Sequence, residues 1–443
     1  MSVLADRLRG IIAAVPAGAH RPAPASVGSA SSQDRADGAD AADVLGGQWI
    51  ESDGQRVLVV DRLYRPGHRH GRFTLLDHVL PDRPEWLRVF LPQHAAVTRA
   101  ERAEKPAGSR SLFVDLETTG LAGGAGTYAF LVGCAWFEEC SLRVRQLFMS
   151  SAAVESAMLT TLAGLAAQAD LVISFNGKSF DVPLIDTRYH FHRRESPFSA
   201  LPHLDMLHPS RRLWRPDGED AGERTAGGCS LGALEASVCG FTREGDVPGF
   251  EIPSRYFHFV RTGDAAPLES VFEHNRLDLV SLAFLTARGA QLVDEGMPML
   301  ATSREAVGLG QLFERSGEMS MARRCFARAA GIDGAPLLPG DEGTRAEAMH
   351  AYAVLCRRDR RHADAATAWR QLLNLHRCPP ALARSASEAL AVHHEHRLRD
   401  LATARAFAQR SASLTTTATR QQALQHRLAR LERKLVAQPL WLF

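Results

Sequence analysis

The amino-acid sequence predicts an α/β domain with a mixed central sheet, followed by an all-α, repeat-like region. Three apolar runs that are typical of strands follow one another within residues 110–150, and helical and strand patterns then alternate up to about residue 296. Three successive strands followed by alternation favour a mixed sheet that is covered by helices. From about residue 302 onwards, Ala, Leu, Arg and Glu recur at helical spacing without strand patterns.

Bulk composition is that of an ordinary soluble protein. The 443 residues suffice for two or three domains, and the net charge of +2 is too small to indicate a nucleic-acid-binding protein unless basic surface is local. The seven cysteines form no Cys-x-x-Cys pair, which argues against a disulfide framework and a structural zinc site. Because apolar stretches stay well short of the roughly 20 residues of a membrane span, we expect a cytoplasmic protein without a membrane partner.

The N-terminal part is expected to contribute little to the main fold. Residues 1–46 predict a short amphipathic helix and then a disordered linker rich in Ala, Gly, Ser, Pro and Asp. Residues 47–105 are interpreted as a small β-rich preamble. Its strand-like runs are RVLVV (56–60), FTLLDHV (73–79) and LRVFL (87–91).

The α/β domain is placed at residues 106–298. Strands are expected at four apolar runs: SLFVDLE, TYAFLVGCAWF, LRVRQLFM and LVISF. Helices are expected at three segments with helical spacing: ESAMLTTLAGLAAQ, DVPLIDTRYHFH and SVFEHNRLDLVSLAFLTARGA.

The C-terminal region, residues 302–443, contains related segments. SGEMSMARRCFARAA (316–330) and DRRHADAATAWRQLL (359–373) share a polar turn, small residues at the packing face and an aromatic residue, and RDLATARAFAQRSA (399–412) is a weaker copy. A pitch of roughly 40 residues is similar to that of tetratricopeptide-type repeats, and an irregular helical bundle is the alternative. Either arrangement would provide a docking surface for another protein.

Two acids at the end of the first strand are the first candidate site residues. Residues i and i+2 of a strand project from the same face, so Asp115 and Glu117 should point together, with Leu116 on the opposite side. Carboxylates this close repel each other unless a cation neutralises them, and hard oxygen donors suit Mg²⁺ or Mn²⁺. The alternative is a pair of solvated acids at a strand end.

Two later segments add further candidates. Asp181 opens a helix after the turn in ISFNGKSFDVPLI, a place where a carboxylate can also serve merely as a cap. His274 and Asp278 are four residues apart, which places them on one face of a helix. An ordinary surface contact between them is the alternative.

Taken in order, the three segments resemble the exonuclease motifs of the DEDD (DnaQ-like) superfamily, which has a ribonuclease-H-like fold. The first motif is Asp-x-Glu at the end of the first strand, here in VDLETTG. The second is Asn-x-x-x-Phe-Asp, met here by Asn176, Phe180 and Asp181. The third is a His or Tyr shortly before an Asp, and here the histidine occupies the spacing that is usual for tyrosine.

Longer stretches are similar to the YprB-type family of predicted bacterial exonucleases, which commonly carries tetratricopeptide-like repeats. These stretches are DLETTGLAGGAGTYAFLVG, SFNGKSFDVPL, HLDMLHPSRRLW, SLGALEASVCGF and HNRLDLVSL. The resemblance covers residues 48–296 well and the tail loosely, and residues 1–46 lie outside it.

The resemblance implies a two-metal mechanism. Two Mg²⁺ or Mn²⁺ ions would be held by Asp115, Glu117, Asp181 and Asp278. His274 would act as the general base, a task for which imidazole is suited near neutral pH. Cleavage from a 3′ end is also implied by the resemblance and is not fixed by the residues themselves.

Substrate contacts are predicted around the first two motifs. The backbone of Thr118, Thr119 and Gly120 would approach the terminal nucleotide, although a tight turn between strands explains these residues equally well. Asn176 and Phe180 belong to the second motif and are assigned to substrate binding with it.

Three basic runs that contain aromatic residues are candidates for tracking a single strand of DNA or RNA. They are RLYRPGHRHGR (62–72, with Tyr64), RYHFHRR (188–194, with Tyr189 and Phe191) and RRLWR (211–215, with Trp214). Surface helices also carry such mixtures without binding nucleic acid. Asp205 is a further acid on an apolar background, and we do not assign it as a ligand.

The leading hypothesis is a metal-dependent exonuclease that acts on single-stranded DNA or RNA. A scaffold that binds nucleic-acid ends or proteins through a nuclease-like but inactive domain is the second hypothesis. Metal-dependent hydrolysis of small nucleotides is the third, because it needs the acids but no basic track.

Overall fold

The computed structural model describes residues 41–80, 85–92, 110–120, 126–215, 229–415 and 418–437. Most of the segment predicted as a helix and linker, residues 1–40, lies outside the described residues. Its last part, residues 41–45, is helical rather than linker, because Ala41, Ala42 and Leu45 are buried against the domain.

The main sheet has seven strands and mixed direction, which confirms the predicted fold class. Its strands, in spatial order, are β1 (Gln48–Ser52), β2 (Gln55–Tyr64), β7 (Ser141–Phe148), β6 (Ala129–Glu138), β5 (Ser111–Thr118), β8 (Leu171–Ser174) and β9 (His203–Asp205). Strands β5, β8 and β9 are parallel to one another, and the other neighbours are antiparallel. A separate pair joins β3 (Arg69–His70) to β4 (Phe73–Thr74).

The segment set apart as a preamble belongs in part to this sheet. Strands β1 and β2 extend the sheet beyond β7, and they do not form a unit of their own. The expected strand LRVFL (87–91) is wrong, because helix α1 (Glu85–Phe90) occupies this position. Short apolar runs do not distinguish strand from buried helix, and here Trp86 and Phe90, four residues apart, are both buried.

The remaining helices follow the sheet strands and then form the whole C-terminal region. They are α2 (Glu155–Ala166), α3 (Asp181–Phe191), α4 (Leu207–Leu213), α5 (Leu231–Leu234), α6 (Ile252–Thr262), α7 (Glu269–Glu295), α8 (Ser303–Ser316), α9 (Met319–Ala330), α10 (Glu342–Arg358), α11 (His362–Leu373), α12 (Pro380–His393), α13 (Leu401–Ser413) and α14 (Ala418–Val436). Side-chain caps start four of them: Ser230 for α5, Thr302 for α8, Asp341 for α10 and Asp400 for α13.

The sheet separates two hydrophobic cores. Leu112, Val114 and Leu116 pack on the side of α2 and α3, whereas Phe113 packs on the side of α7. Since strand side chains alternate, Asp115 stands on the α7 side, and Leu116 lies opposite as predicted.

The α7-side core continues without a break into the C-terminal helices. Helix α8 lies tightly on α4, because a β-carbon at Gly308 would stand 2.2 Å from the carbonyl oxygen of Arg212. The indole of Trp214, just after α4, donates to Glu305 of α8 at 3.0 Å. The all-α prediction for this region is confirmed, whereas the tetratricopeptide comparison stays a prediction. Within the described residues, every helix is too short or too polar to cross a membrane.

Candidate active site

The first two acids lie at one edge of the sheet, where β5 and β8 end. Residues 111–113 of β5 pair in parallel with residues 171–173 of β8, so both strands run toward the same edge. Asp115 and Glu117 lie near the end of β5, and Glu117 is only 8% exposed. Two carboxylates are therefore held at the sheet edge at low exposure.

The turn after β8 brings Asp181 to the same edge. Asn176 adopts a φ of 66°, a left-handed conformation in which asparagine is enriched. A β-carbon at Gly177 would stand 2.8 Å from Asp181 Oδ2 and 2.5 Å from Ser174 Oγ. This close approach requires glycine, and it sets Asp181 at the first residue of α3.

Asp205 holds the turn after β8 in place through hydrogen bonds. Its buried carboxylate accepts hydrogen bonds from the backbone N–H groups of Asn176 at 2.7 Å and Lys178 at 3.2 Å. It also accepts from the N–H of Leu207, the first residue of α4, at 3.0 Å. With three backbone donors on its oxygens, Asp205 positions the second motif and α4 and is not one of the four clustered acids.

A buried amide relay attaches α7 to the sheet. Asn275 donates to the Asp115 carboxylate at 2.8 Å and to the Asp115 backbone carbonyl at 3.2 Å. Its Oδ1 accepts from Gln146 Nε2 at 2.9 Å. Strand β6 leaves room for the relay, because a β-carbon at Gly133 would stand 2.3 Å from Asn275 Oδ1. The relay fixes Asp278, one turn further along α7, beside the acids of β5.

The four acids oppose one another's ionisation, which places them in a single site. Burial, and then the charges of the other three acids, raise the pKa of Asp115 well above its usual range. Burial and the charges of Asp278 and Asp181 likewise raise the pKa of Glu117. Burial and the charges of Asp205 and Asp278 bring the pKa of Asp181 to about 7. Burial also raises the pKa of Asp278, although neighbouring cations oppose it.

A buried arginine supplies positive charge to this cluster. The side chain of Arg243 is 8% exposed, and its guanidinium donates a hydrogen bond to Asp278. Glu235 binds the same guanidinium from the other side at 2.7 and 3.1 Å. Burial raises the pKa of Glu235, but hydrogen bonds from three neighbouring donors outweigh burial and leave it below its usual value. Glu235 is thus ionised and holds Arg243 beside Asp278.

His274 lies on the same face of α7 as Asp278, as its four-residue offset predicts. Its Nδ1 is 2.7 Å from Asp246 Oδ1, and its Nε2 is 3.6 Å from Asp278 Oδ2. When Nδ1 donates to Asp246, Nε2 is left as a proton acceptor that faces the acids. Asp246 therefore orients the imidazole.

The carboxylate oxygens of the four acids are suitable ligands for a hard divalent cation, but the four side chains do not converge on one point. Carboxylate oxygens suit Mg²⁺ or Mn²⁺, and a cation would relieve the repulsion among the four acids. Across the part of the chain that the structure describes, no three His, Cys, Asp or Glu side chains form a ready metal site. Asp278 is paired with Arg243 and Asp115 with Asn275, so gathering the acids around a cation requires side-chain rotation.

The residues predicted to contact substrate have different environments. The Thr118 hydroxyl donates to the carbonyl of Gly120 at 3.0 Å, and the Thr119 hydroxyl accepts from a backbone N–H that precedes β6 at 2.9 Å. Asn176 holds the left-handed turn position. Phe180 differs from these, because its ring is 59% exposed directly before α3. Substrate contact by these residues stays a prediction.

Each of two basic runs contains a basic side chain that is enclosed by the domain. In the run at 188–194, Arg188 is buried and forms a bidentate pair with Glu155 at 2.6 Å. In the run at 62–72, His70 is buried and lies 2.8 Å from the Ser281 hydroxyl. The predicted role in tracking nucleic acid is therefore wrong for these side chains, because they are enclosed and already paired.

Sequence reasoning missed five polar residues that support the site: Gln146, Glu235, Arg243, Asp246 and Asn275. Two of them carried a usable signal. Asn275 lies three residues before Asp278 on the same helical face, and Glu235 is a lone acid in the apolar segment SLGALEASVCGF, where a buried acid needs a cation. Local spacing carries no signal for Gln146, Arg243 or Asp246, because their partners are distant in the chain.

Comparisons with known proteins agree with this geometry. Residues 112–288 match the family model RNase_H_2 of the RNase_H superfamily. The chain is 27% identical over 386 residues to the uncharacterized protein YprB of Bacillus subtilis, which covers 85% of this chain and 86% of that protein. A family B DNA polymerase from the archaeon Pyrobaculum calidifontis aligns with a TM-score of 0.32 and 11% identity, over 48% of this chain and 30% of the polymerase. The chain thus contains an RNase H-like domain.

Proposed function

We propose that this protein is a divalent-metal-dependent exonuclease that hydrolyses phosphodiester bonds of single-stranded DNA or RNA from the 3′ end. The proposal rests above all on the shared site of Asp115, Glu117, Asp181 and Asp278, whose carboxylates raise one another's pKa. The 3′ polarity is taken from the resemblance to DEDD exonucleases.

Uncompensated negative charge is the reason to expect metal ions here. Four carboxylates face a single buried guanidinium, and folding energy alone gives no reason to keep such repulsion. Two Mg²⁺ or Mn²⁺ ions held by these acids would stabilise charge on the attacking and leaving oxygens of phosphodiester hydrolysis.

The chain's own residues supply the proton acceptor and a stacking surface. Water attacks phosphorus and the bond from phosphorus to the 3′ oxygen breaks, which releases a nucleoside 5′-monophosphate. His274 would take the proton of the attacking water at Nε2, because Asp246 holds Nδ1. The exposed ring of Phe180 suits stacking on the terminal base.

The test is a cleavage assay of the full chain with end-labelled single- and double-stranded DNA and RNA, with Mg²⁺ or Mn²⁺. We expect a one-nucleotide ladder from 5′-labelled single strands and early release of labelled mononucleotide from 3′-labelled ones. Asp115→Ala and Asp278→Ala should each lower the rate by about 10³-fold or more, equivalent to about 4 kcal/mol of activation free energy.

A matched control replaces an exposed acid outside the site. Asp264→Ala should cleave like the wild type, because Asp264 lies at the surface, where it pairs with His258 and accepts from the Ala266 N–H. His274→Gln should lower the rate by about 10²–10⁴-fold and flatten its pH dependence. Cleavage that survives both Asp115→Ala and Asp278→Ala would refute the proposed site.

A second candidate function is the binding of nucleic-acid ends without cleavage. The pairing of Asp278 with Arg243 favours it, because a guanidinium already balances part of the charge that a cation would balance. Among the described residues, moreover, no ready three-ligand metal site is formed. Tight binding of labelled single strands, with no products in either metal, would select this candidate.

A further inference from the structure

An open cleft lies between the RNase H-like domain and the C-terminal helices. It has a volume of about 1090 Å³, and its walls come from α4 on one side and from α8, α10 and the segment before α12 on the other. This volume is at the upper end of ordinary ligand pockets. It holds a few nucleotides of a single strand rather than a duplex.

Both walls of the cleft carry arginines. Arg211, Arg212 and Arg215 come from the end of α4 and the residues after it, and Arg304 and Arg377 come from the helical wall. Arginine forms bidentate contacts with phosphate, which makes this residue type the preferred one for phosphodiester recognition.

The acids of the cleft are already engaged by groups of their own wall. Asp341 caps α10 by accepting from the Thr344 N–H at 2.6 Å, and Glu347 pairs with Arg304 at 2.9 Å. Glu342 accepts from the backbone N–H of Arg377 at 2.8 Å. Because a hydrogen bond from a backbone N–H leaves a carboxylate charged, the three acids outnumber Arg304 and Arg377 on this wall. The positive charge of the cleft therefore comes from the α4 wall.

The α4 wall is different, because its positive charge is uncompensated. Among the described residues, Arg211, Arg212 and Arg215 form no ion pair with a carboxylate. Burial and the nearby guanidinium of Arg315 lower the pKa of Arg212, which indicates a positive potential at this wall. Arg62 of the run at 62–72 lines a smaller pocket, whereas all three arginines of RRLWR line this larger cleft.

Helix α4 connects this wall directly to the acid site. Asp205 binds both the turn that carries the second motif and the first residue of α4, Leu207. Arg211 follows Leu207 by four residues, which is about 6 Å along a helix. One short helix, α4, thus joins the turn that precedes Asp181 to the arginines of the cleft.

We propose that this interlayer cleft binds the phosphodiester backbone of single-stranded nucleic acid, a few nucleotides away from the end that the acids hold. The position of the end rests on the proposed exonuclease function, whereas backbone binding in the cleft does not require cleavage. The C-terminal helices thereby act as one wall of the substrate-binding surface.

The test measures binding without metal, so that it is independent of cleavage. The full chain in EDTA is titrated against fluorescein-labelled dT20 and rU20 by fluorescence anisotropy, at several NaCl concentrations. The variants Arg211→Gln and Arg377→Gln each remove one charge from one wall, and the double variant removes both. Each loss should lower the slope of log Kd against log salt by about 0.7. That change corresponds to about five-fold weaker binding at 0.1 M salt for each arginine.

Two further variants keep the result interpretable. Arg211→Lys should retain the salt slope of the wild type, because the charge is preserved. Arg397→Gln combined with Arg405→Gln removes two exposed charges of the C-terminal helices outside the cleft, and it should leave binding unchanged.

The proposal is overturned if the Arg211→Gln/Arg377→Gln variant binds with the Kd and salt slope of the wild type. It is also overturned if the control pair weakens binding equally, or if poly-glutamate displaces the oligonucleotides as well as unlabelled dT20 does, which would indicate an acidic protein as ligand. Arginine-dependent binding without any cleavage would refute the proposed nuclease activity and leave the cleft assignment standing. If the double variant binds and cleaves like the wild type, the cleft assignment is refuted and the proposed nuclease activity stands.

Discussion

Two clusters of charged residues lie in the RNase H-like domain, and they differ in how their charges balance. In the first, which we call the Glu155 cluster, one buried carboxylate binds the Arg188 guanidinium through both oxygens and the His192 ring at 2.8 Å. In the second, the acid site, four carboxylates oppose one another's ionisation, and the buried guanidinium of Arg243 pairs with only one of them, Asp278. The Glu155 cluster is satisfied within the fold, whereas the acid site is not.

This difference distinguishes charged residues that stabilise the fold from charged residues that are kept for a function. A buried carboxylate with matched donors holds two helices in register, and it is needed for folding whatever the protein does. Carboxylates that raise one another's pKa weaken the fold, so their presence is explained by a ligand of opposite charge. Charge balance, rather than burial, marks the site.

The largest expected effect breaks the Glu155 cluster. Glu155→Gln leaves the Arg188 guanidinium buried without its counter-charge, which should lower the free energy of unfolding by about 3–5 kcal/mol. Urea unfolding of the metal-free protein measures this loss. Asp53→Asn is the matched control, because it removes an exposed pair with Arg194, and its effect on unfolding should be much smaller than that of Glu155→Gln. Equal losses in the two variants would contradict the structural role of Glu155.

At the acid site, we expect the removal of a carboxylate to stabilise the protein, and by a smaller amount. The pKa of Asp181 is raised from 3.8 to about 7 by burial and neighbouring acids. The folded state therefore favours the protonated form, and stability that is complete below about pH 4 is lost as the pH rises to about 7. Asp181→Asn cannot ionise, so in EDTA at pH 8 its Tm should exceed that of the wild type by at least about 2 °C.

The pH dependence of that gain is the decisive part. At pH 5 the Asp181 carboxyl is protonated in the folded state but ionised in the unfolded state, so only part of the loss has developed and the Tm gain should be clearly smaller than at pH 8. Asp53→Asn again serves as the control, because a hydrogen bond from Arg194 lowers the pKa of Asp53, and its removal should not raise the Tm at pH 8. A gain for Asp181→Asn that is equal at both pH values would argue against mutual repulsion among the acids.

The smallest effect concerns a third, peripheral cluster around Glu395. Burial raises the pKa of Glu395, but hydrogen bonds from Arg430 and Lys434 of α14 outweigh burial and lower it to about 2. The contribution of this cluster is present above about pH 4.5 and is lost as the pH falls through about 2. Glu395→Gln should speed amide hydrogen exchange in residues 418–437 at pH 7 and leave α10 unchanged. Unchanged exchange in α14 would show that the charge cluster does not hold this helix.

Local patterns in the sequence predict strands β5 to β8 and single out the four clustered acids, whereas the short strand β9 was not predicted. Period-2 alternation puts Asp115 and Glu117 on one face of β5, and helical spacing aligns His274 with Asp278. The same patterns do not distinguish a strand from a buried helix at residues 87–91. Composition alone also makes the basic runs look alike, although Arg188 is buried in an ion pair and Arg211 lines the cleft.

The remaining features depend on contacts between distant parts of the chain. Gln146, on β7, reaches Asn275 across β6 only because Gly133 lacks a side chain. Glu235 and Arg243 flank a turn whose direction is set by packing against α7, and spacing in sequence does not encode it. The residues that we propose as ligands were therefore easier to single out from the sequence than the residues that orient them.

The hydrophobic core on the α7 side of the sheet extends into the C-terminal helices, which limits how the two regions can be separated. Helix α8 covers apolar side chains of α1 and α4, and Gly308 presses directly on the backbone of α4. A chain that is cut near residue 298 would expose that apolar surface to water. We therefore do not expect the RNase H-like domain to be stable without the C-terminal helices. A gene fusion or deletion at this boundary would need new side chains to cover that apolar surface. We therefore expect the two regions to have diversified together.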